Sequence, residues 1–399
     1  MQMNKLIFKF NLTFFFWIFS MGLIFFFLNC NEIKRPGLES LLLFQGSPNA
    51  IGVVTSDFGG GGRYNVIDPN VGYVYPGLTP IHSDANARFA NGKIFIINRL
   101  NRDSIQILNP NAANLTESEF SVGQGTNPQD ILIYNNDKAY ISRYNSKKLL
   151  IANPYNGQTL GEIDLSAYSE TSSAGGIPDG KPEMSWMIRF DDRIFITLQV
   201  LDRNHPQGFF PPSGNSLLLE INPNNDTVVR TIPFLSTNPF SKPQIVEIFG
   251  ERHIVFTTPG KLGFISELDG GIEAFNPRTN SFRNEFLLKE TTAGGDILGF
   301  QIKNNDLGFA SVLDKNFNKR IFAFNPSNGQ IISLLFEVAS NVGTNFSGIL
   351  LTQEGQLAIG ISDFSNPGIH IFDTNGSIRQ LTLTPIRTQL TPVDIIELK

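Results

Sequence analysis

One short pattern recurs along this chain and constrains its fold more than any other feature. A strand ends in Asp or Asn, usually followed by Pro, at Ile67-Asp68-Pro69, Leu108-Asn109-Pro110, Ala152-Asn153-Pro154, Ile221-Asn222-Pro223, Phe275-Asn276-Pro277, Phe324-Asn325-Pro326 and Phe372-Asp373-Thr374. The third residues of these seven copies are separated by 41, 44, 69, 54, 49 and 48 positions, intervals of the size of a propeller blade with one large insertion. Asn or Asp before Pro is turn chemistry, because the side chain caps the bend and the ring presets φ. Upstream of the turns lie apolar strands such as Lys93 to Ile97, Lys138 to Ser142 and Arg193 to Thr197, preceded by hairpin signals at Asn91-Gly92, Asn136-Asp137, Asp191-Asp192 and Glu354-Gly355. A further strand precedes each hairpin and a fourth follows the Asn-Pro turn, so the unit is a four-stranded antiparallel meander. Gly (36) and Pro (23) spread from end to end, with only 17% charged residues, suit many short strands joined by tight turns.

The segment Pro392 to Leu398 looks like the first strand of a unit, compare Pro128 to Ile133, yet it has no unit of its own to begin. The unit starting near Ile51 lacks that strand. The expected fold is therefore an all-β, seven-bladed β-propeller over residues 50–399, closed by the C-terminal strand pairing into the first blade and leaving no open sheet edge. The order strand, hairpin, strand, Asn-Pro turn, strand resembles the surface-layer and quinoprotein-like propellers with a Tyr-Val-Thr-Asn signature; Tyr140-Ile141-Ser142-Arg143 and Phe95-Ile96-Ile97-Asn98 stand where that tetrapeptide would be. The resemblance implies that loops entering a blade, and loops between its second and third strands, share the face that carries function.

The N-terminus is of another physical class. Lys5 and Lys9 precede an uncharged run of 19 residues, Phe10 to Leu28, rich in Phe, Ile and Leu. That is a signal-peptide pattern, and the run is also long enough to serve as an uncleaved anchor. Cys30 is the only cysteine, so no disulfide forms within one chain. Phe27-Leu28-Asn29-Cys30 resembles the relaxed lipobox of spirochaete-type lipoproteins, with Phe27 and Asn29 departing from the strict pattern. The resemblance implies removal of residues 1–29, acylation of Cys30, a tether over residues 30–49, and a lipid-anchored place in the cell envelope, with the outer membrane or cell surface favoured. Without residues 1–29 the balance is 29 basic against 36 acidic residues. An acidic domain with no basic run repels phosphate backbones, so nucleic acid is not an expected partner.

The interval of 69 reflects two insertions, Ser166 to Pro182 ahead of blade four and Leu201 to Ser216 inside it, expected side by side on the loop face. Trp186, Phe209 and Phe210 are the candidate contacts for a protein partner, the alternative for the two Phe being that they cover their own blade. Asp130, Asp296 and Asp394 recur at the start of innermost strands. They would either hold a cation such as Ca at the mouth of the channel, or cap turns and pair with arginines such as Arg88 and Arg143. Asp57, Asp202, Asp314 and Asp363 are expected to make turns. His82, His205, His253 and His370 are scattered without metal-ligand spacing, no HExxH, CxxC or GxSxG occurs, and Gly175 to Lys181 fits a phosphate loop only in outline, with Pro182 where Ser or Thr would sit. The sequence thus points to a monomeric, non-catalytic binding or scaffolding module without cofactor, the alternative being an extracytoplasmic propeller enzyme such as a metal-assisted lactonase or other hydrolase.

Overall fold

The computed structural model describes residues 50–399 apart from 71, 76–78, 209, 263–266, 342 and 344–347. Cys30, the apolar N-terminal run and the tether therefore lie outside the described residues, as does Phe209. Seven antiparallel sheets follow one another, each built outward from an inner strand. The inner strands of blades two to seven are Ala85–Ala90, Pro128–Ile133, Met184–Phe190, Gln244–Ile248, Gly295–Ile302 and Ile349–Leu351. Blade one takes its inner strand from the end of the chain: Thr391–Glu397 pairs antiparallel with Ile51–Ser56, Ile51 opposite Glu397 and Val54 opposite Asp394. The protein is a seven-bladed β-propeller closed as its sequence pattern requires.

The apolar runs inside the blades are continuous rather than alternating because both faces of each sheet are covered. Phe95 and Ile107 of blade two pack with Ile131 and Ile141 of blade three. Phe195 and Leu218 of blade four pack with Ile254, Phe256 and Phe275 of blade five. Ile51 and Val53 of blade one meet Ala358 and Ile369 of blade seven. The core is thus a set of layers between blades, and it leaves the inner strands with one backbone edge facing the channel.

All seven Asp or Asn residues of the repeat make the same turn. The side-chain oxygen of Asp68, Asn109, Asn153, Asn222, Asn276, Asn325 and Asp373 accepts the backbone N–H two residues on, at 2.8 to 3.0 Å. These turns join the third strand to the fourth and fix one face of the ring. The hairpins between first and second strands lie on that same face, with Asn91 and Gly92 at φ 49° and 70°, the left-handed conformation that this dipeptide tolerates.

The inner edges are capped across blade boundaries. Asp394 of blade one accepts the N–H of Ala87 in blade two at 2.9 Å. Asp130 of blade three accepts that of Met187 in blade four at 2.7 Å. In blade five the amide of Gln244 accepts from Ile302 N at 2.8 Å and donates to Ile302 O at 3.0 Å. Gln301 of blade six likewise accepts from Leu351 N and donates to Ile349 O in blade seven, at 3.1 and 3.4 Å. An inner strand that lacks a neighbour thereby has part of its backbone satisfied by a side chain of the preceding blade. Replacing Gln244 with Leu removes both bonds to Ile302 at nearly constant volume. The expected outcome is a loss of about 1 kcal/mol in urea unfolding with an unchanged slope, together with faster amide exchange at Ile302.

Candidate functional site

The two insertions of blade four fold against each other on the face opposite the Asn-Pro turns. Asp202 joins them: its carboxylate accepts Ser173 Oγ at 2.6 Å and Ala174 N at 2.8 Å. Burial pushes this carboxyl up, but the hydrogen bonds from Ser173, Ala174 and Asn204 outweigh it and hold the group below the usual carboxylate range. Asn204 Nδ2 donates to Ile177 O at 2.7 Å, and Ser213 Oγ donates to Ser172 O at 2.8 Å. Asp202 therefore does more than turn its own loop. The other members of its set act locally, Asp57 on Gly59 and Gly61, Asp314 on Asn316 and Asn318, Asp363 on Ser365 and Asn366.

Beneath the loops lies a buried acidic cluster. Glu170 Oε1 accepts the N–H of Asp179 and of Gly180, so the amides of the segment that resembles a phosphate loop hold a carboxylate of the protein itself. Glu183 is fully buried, and its Oε2 accepts Leu201 N at 2.9 Å. Its Oε1 has no hydrogen-bond partner, and the guanidinium of Arg203 stands 4.0 Å away and 3.8 Å from Asp179. Burial, reinforced by Asp179 and Glu170, pushes the Glu183 carboxyl up to about 8. Arg203 lies over the rings of Tyr144 at 5.4 Å and Phe210 at 5.6 Å and donates to Asn145 at 2.8 Å, tying the insertions to blade three.

Phe210 is exposed at this tip, with 47% of its surface open. Trp186, expected to present its ring to a partner, is instead buried at 8% exposure. Its indole N–H donates to Phe240 O at 2.7 Å, while Arg88 and Lys242 stand over the ring at 5.7 and 5.4 Å. These two cations answer the inner-strand aspartates. Arg88 forms a two-pronged pair with Asp130, both bonds at 2.7 Å, and donates to Met187 O at 3.0 Å. Lys242 reaches Asp394 at 2.5 Å and Ala87 O at 3.1 Å. Arg143, the other arginine considered, binds Glu162 and the carbonyl of Lys148 instead. Asp296 is buried near Glu290 in blade six and does not join the other two. Among the described residues no group of three or more His, Cys, Asp or Glu is gathered to hold a metal ion.

The exposed large apolar side chains are distributed unevenly. Phe58, Leu100, Phe210 and Phe364 sit between second and third strands, and Ile177 and Leu235 sit in segments leading into a blade. In an antiparallel meander all six belong to one face. Of the remaining exposed large apolar residues, Leu115, Leu160, Val229, Ile332 and Leu334 lie on outer strands, and Leu381 and Leu383 lie in the segment between the short strands Arg379–Gln380 and Ile386–Arg387 at the outer edge of blade seven. Among the described residues none but Leu115, paired opposite Asn109, adjoins an Asn-Pro turn. Phe58 and Phe364, from blades one and seven, pair edge to face with ring centroids 6.4 Å apart.

No family model matches the chain, and no curated protein matches it in sequence. Solved structures do share its fold. A putative 6-phosphogluconolactonase from Bacteroides uniformis aligns at 13% identity and TM-score 0.58 over 88% of this chain and 99% of its own. A protein from Lactobacillus plantarum aligns at 12% identity and TM-score 0.58 over 88% and 99%. The dihydro-heme d1 dehydrogenase NirN aligns at 11% identity and TM-score 0.56 over 88% and 75%. At such identities the likeness is one of fold, and function has to be argued from the surface.

The raised Glu183 carboxyl gives a pH test with a definite sign. Its usual value is 4.5 and its folded value about 8, so the folded state keeps a proton that the unfolded state releases. Stability therefore falls as pH rises through that window. Glu183→Gln removes this dependence, and the variant is expected to gain on the parent chain between pH 5 and pH 9 in urea unfolding.

Proposed function

We propose that this protein is an exported lipoprotein, anchored in the cell envelope through an acylated Cys30, whose propeller recruits a protein partner by its loop face without catalysing a reaction. The anchor is supported by the sequence alone: two lysines, a 19-residue uncharged run and a single cysteine at its end. The recruiting role is supported chiefly by the asymmetry of exposed apolar residues. Isolated apolar side chains on a surface need no explanation. Six on the loop face, against Leu115 alone beside the turns of the opposite face among the described residues, do. Aromatic tips on braced loops supply contact area at small entropic cost, which suits a protein interface.

The buried acids fit this reading. Glu170 and Glu183 each use one carboxylate oxygen, and Asp202 both, on backbone and side chains of the two insertions, so they shape a surface. Trp186, with its N–H satisfied and both cations beside it, braces the channel mouth below that surface.

Cross-linking capture from intact envelopes tests the face. A partner held by the parent chain should be lost when Phe210 and Phe364 are both changed to Ser, or when residues 206–213 are replaced by a Gly-Ser loop, and kept when Leu334 on an outer strand is changed to Ser. Equal capture by all variants would remove the loop face from consideration. Cys30→Ser should abolish incorporation of labelled palmitate and release the protein from the membrane fraction.

A further inference from the structure

On the face of Asn-Pro turns, blade five carries a cleft of about 220 Å³ lined by Phe249, Glu251, His253, Asn276, Thr279, Ser281, Phe282 and Arg283. It is built from two turns. The hairpin at Phe249, held at φ 55°, supplies one wall, and the Asn276 turn with the short strand Ser281–Phe282 supplies the other. The Arg283 guanidinium lies against the Phe249 ring, its central carbon 3.7 Å from the centroid. Among the described residues it makes no ion pair and its side chain no hydrogen bond, and its Nε is shut off from water without an acceptor. By contrast Arg88, Arg193 and Arg320 each hold a carboxylate. The two terminal nitrogens, unlike Nε, are not shut off from water, so a cation that stacks on a ring and holds no anion keeps them open to one.

The rest of the wall defines which anion would fit there. Thr279 Oγ1 and Ser281 Oγ lie 2.8 Å apart and supply hydroxyls. His253, also in the lining, has Nδ1 3.1 Å from Glu251 O, an arrangement in which Nδ1–H donates to that carbonyl. Glu251, at the exposed rim, already accepts the side-chain N–H of Asn276. A carboxylate matches the planar guanidinium with two parallel bonds, and because the cost of stripping water from an ion grows faster with its charge than its attraction to a single cation, a monoanion is favoured here over a dianion such as phosphate. The geometry points to a binding site for a small monocarboxylate, its two oxygens on the terminal nitrogens of Arg283 and its polar substituents on Thr279 and Ser281. The site is independent of the loop face, which lies on the other side of the ring.

Isothermal titration of the full chain with lactate, and in parallel with inorganic phosphate, tests the assignment. Saturable binding of one lactate is expected, lost in Arg283→Gln and weakened about tenfold in Arg283→Lys, which keeps the charge but not the planar fork. Phosphate binding is expected to be weaker and to improve in Glu251→Gln. Phe210→Ser should leave lactate binding unchanged, which separates this site from the loop face. No saturable lactate heat, unaltered binding in Arg283→Gln, or phosphate bound as tightly as lactate would each overturn the proposal.

Discussion

Unpaired backbone at the edges of a sheet must find partners, and in a molecule made of seven small sheets this constraint shapes almost everything else. The outer strands face solvent, where water serves. The inner strands face a narrow channel, and there neighbouring blades supply the partners. Asp130 with Arg88 satisfies both the N–H and the C=O of Met187, and Asp394 with Lys242 does the same for Ala87. A single neutral amide, Gln244, does this for Ile302. Two ion pairs and two glutamines, Gln244 and Gln301, thus solve one problem, and the ion pairs need no ligand to explain them. Because each cap comes from another blade, the caps also bind the ring together. Lys242, just before the inner strand of blade five, reaches blades one and two across the channel. Burial pulls its ammonium down from the ordinary lysine range, against the pull of Asp394 in the other direction.

A ring closed in this way leaves its two faces free to differ. The face of Asn-Pro turns is made by seven copies of one local hydrogen bond. The loop face carries the irregular parts of the chain: two long insertions, a buried acidic cluster and the exposed apolar tips. The cluster is costly, since Glu183 has an oxygen with no hydrogen bond and a carboxyl raised to about 8. Such strain is tolerated because Arg203, stacked on Tyr144, joins the insertions to the next blade and keeps Phe210 at the tip. Stability is given up locally so that a loop can hold one shape.

The sequence revealed the parts of this fold that rest on local chemistry. An Asx turn needs only its own residue and the N–H two positions on, so the seven turns, the blades they delimit and the closing strand were all legible. So was the pairing of the insertions, because the loop entering a blade and the loop between its second and third strands leave by the same face. The inner-strand aspartates could be seen to recur, and Arg88 to be a possible partner, but their role at the channel edge could not. Gln244 and Gln301 perform that role with a different side chain, so no residue-type repeat marks it. Trp186 looked like a free aromatic because its N–H acceptor, Phe240 O, lies 54 residues away. The blade-five cleft was illegible for a similar reason: Phe249 and Arg283 come from different turns, and nothing local in either marks a cavity.

The account stands or falls on closure of the ring by the strand Thr391–Glu397. The most direct measurement is hydrogen exchange at Ile51–Ser56 in a chain ending at Leu390. The account predicts that protection of this strand is lost and that urea unfolding loses its single cooperative transition, since blade one then has an open edge and the Asp394 cap of Ala87 is gone. Protection and cooperativity equal to those of the full chain would contradict it, because the remaining blades would then hold together without the strand that closes them.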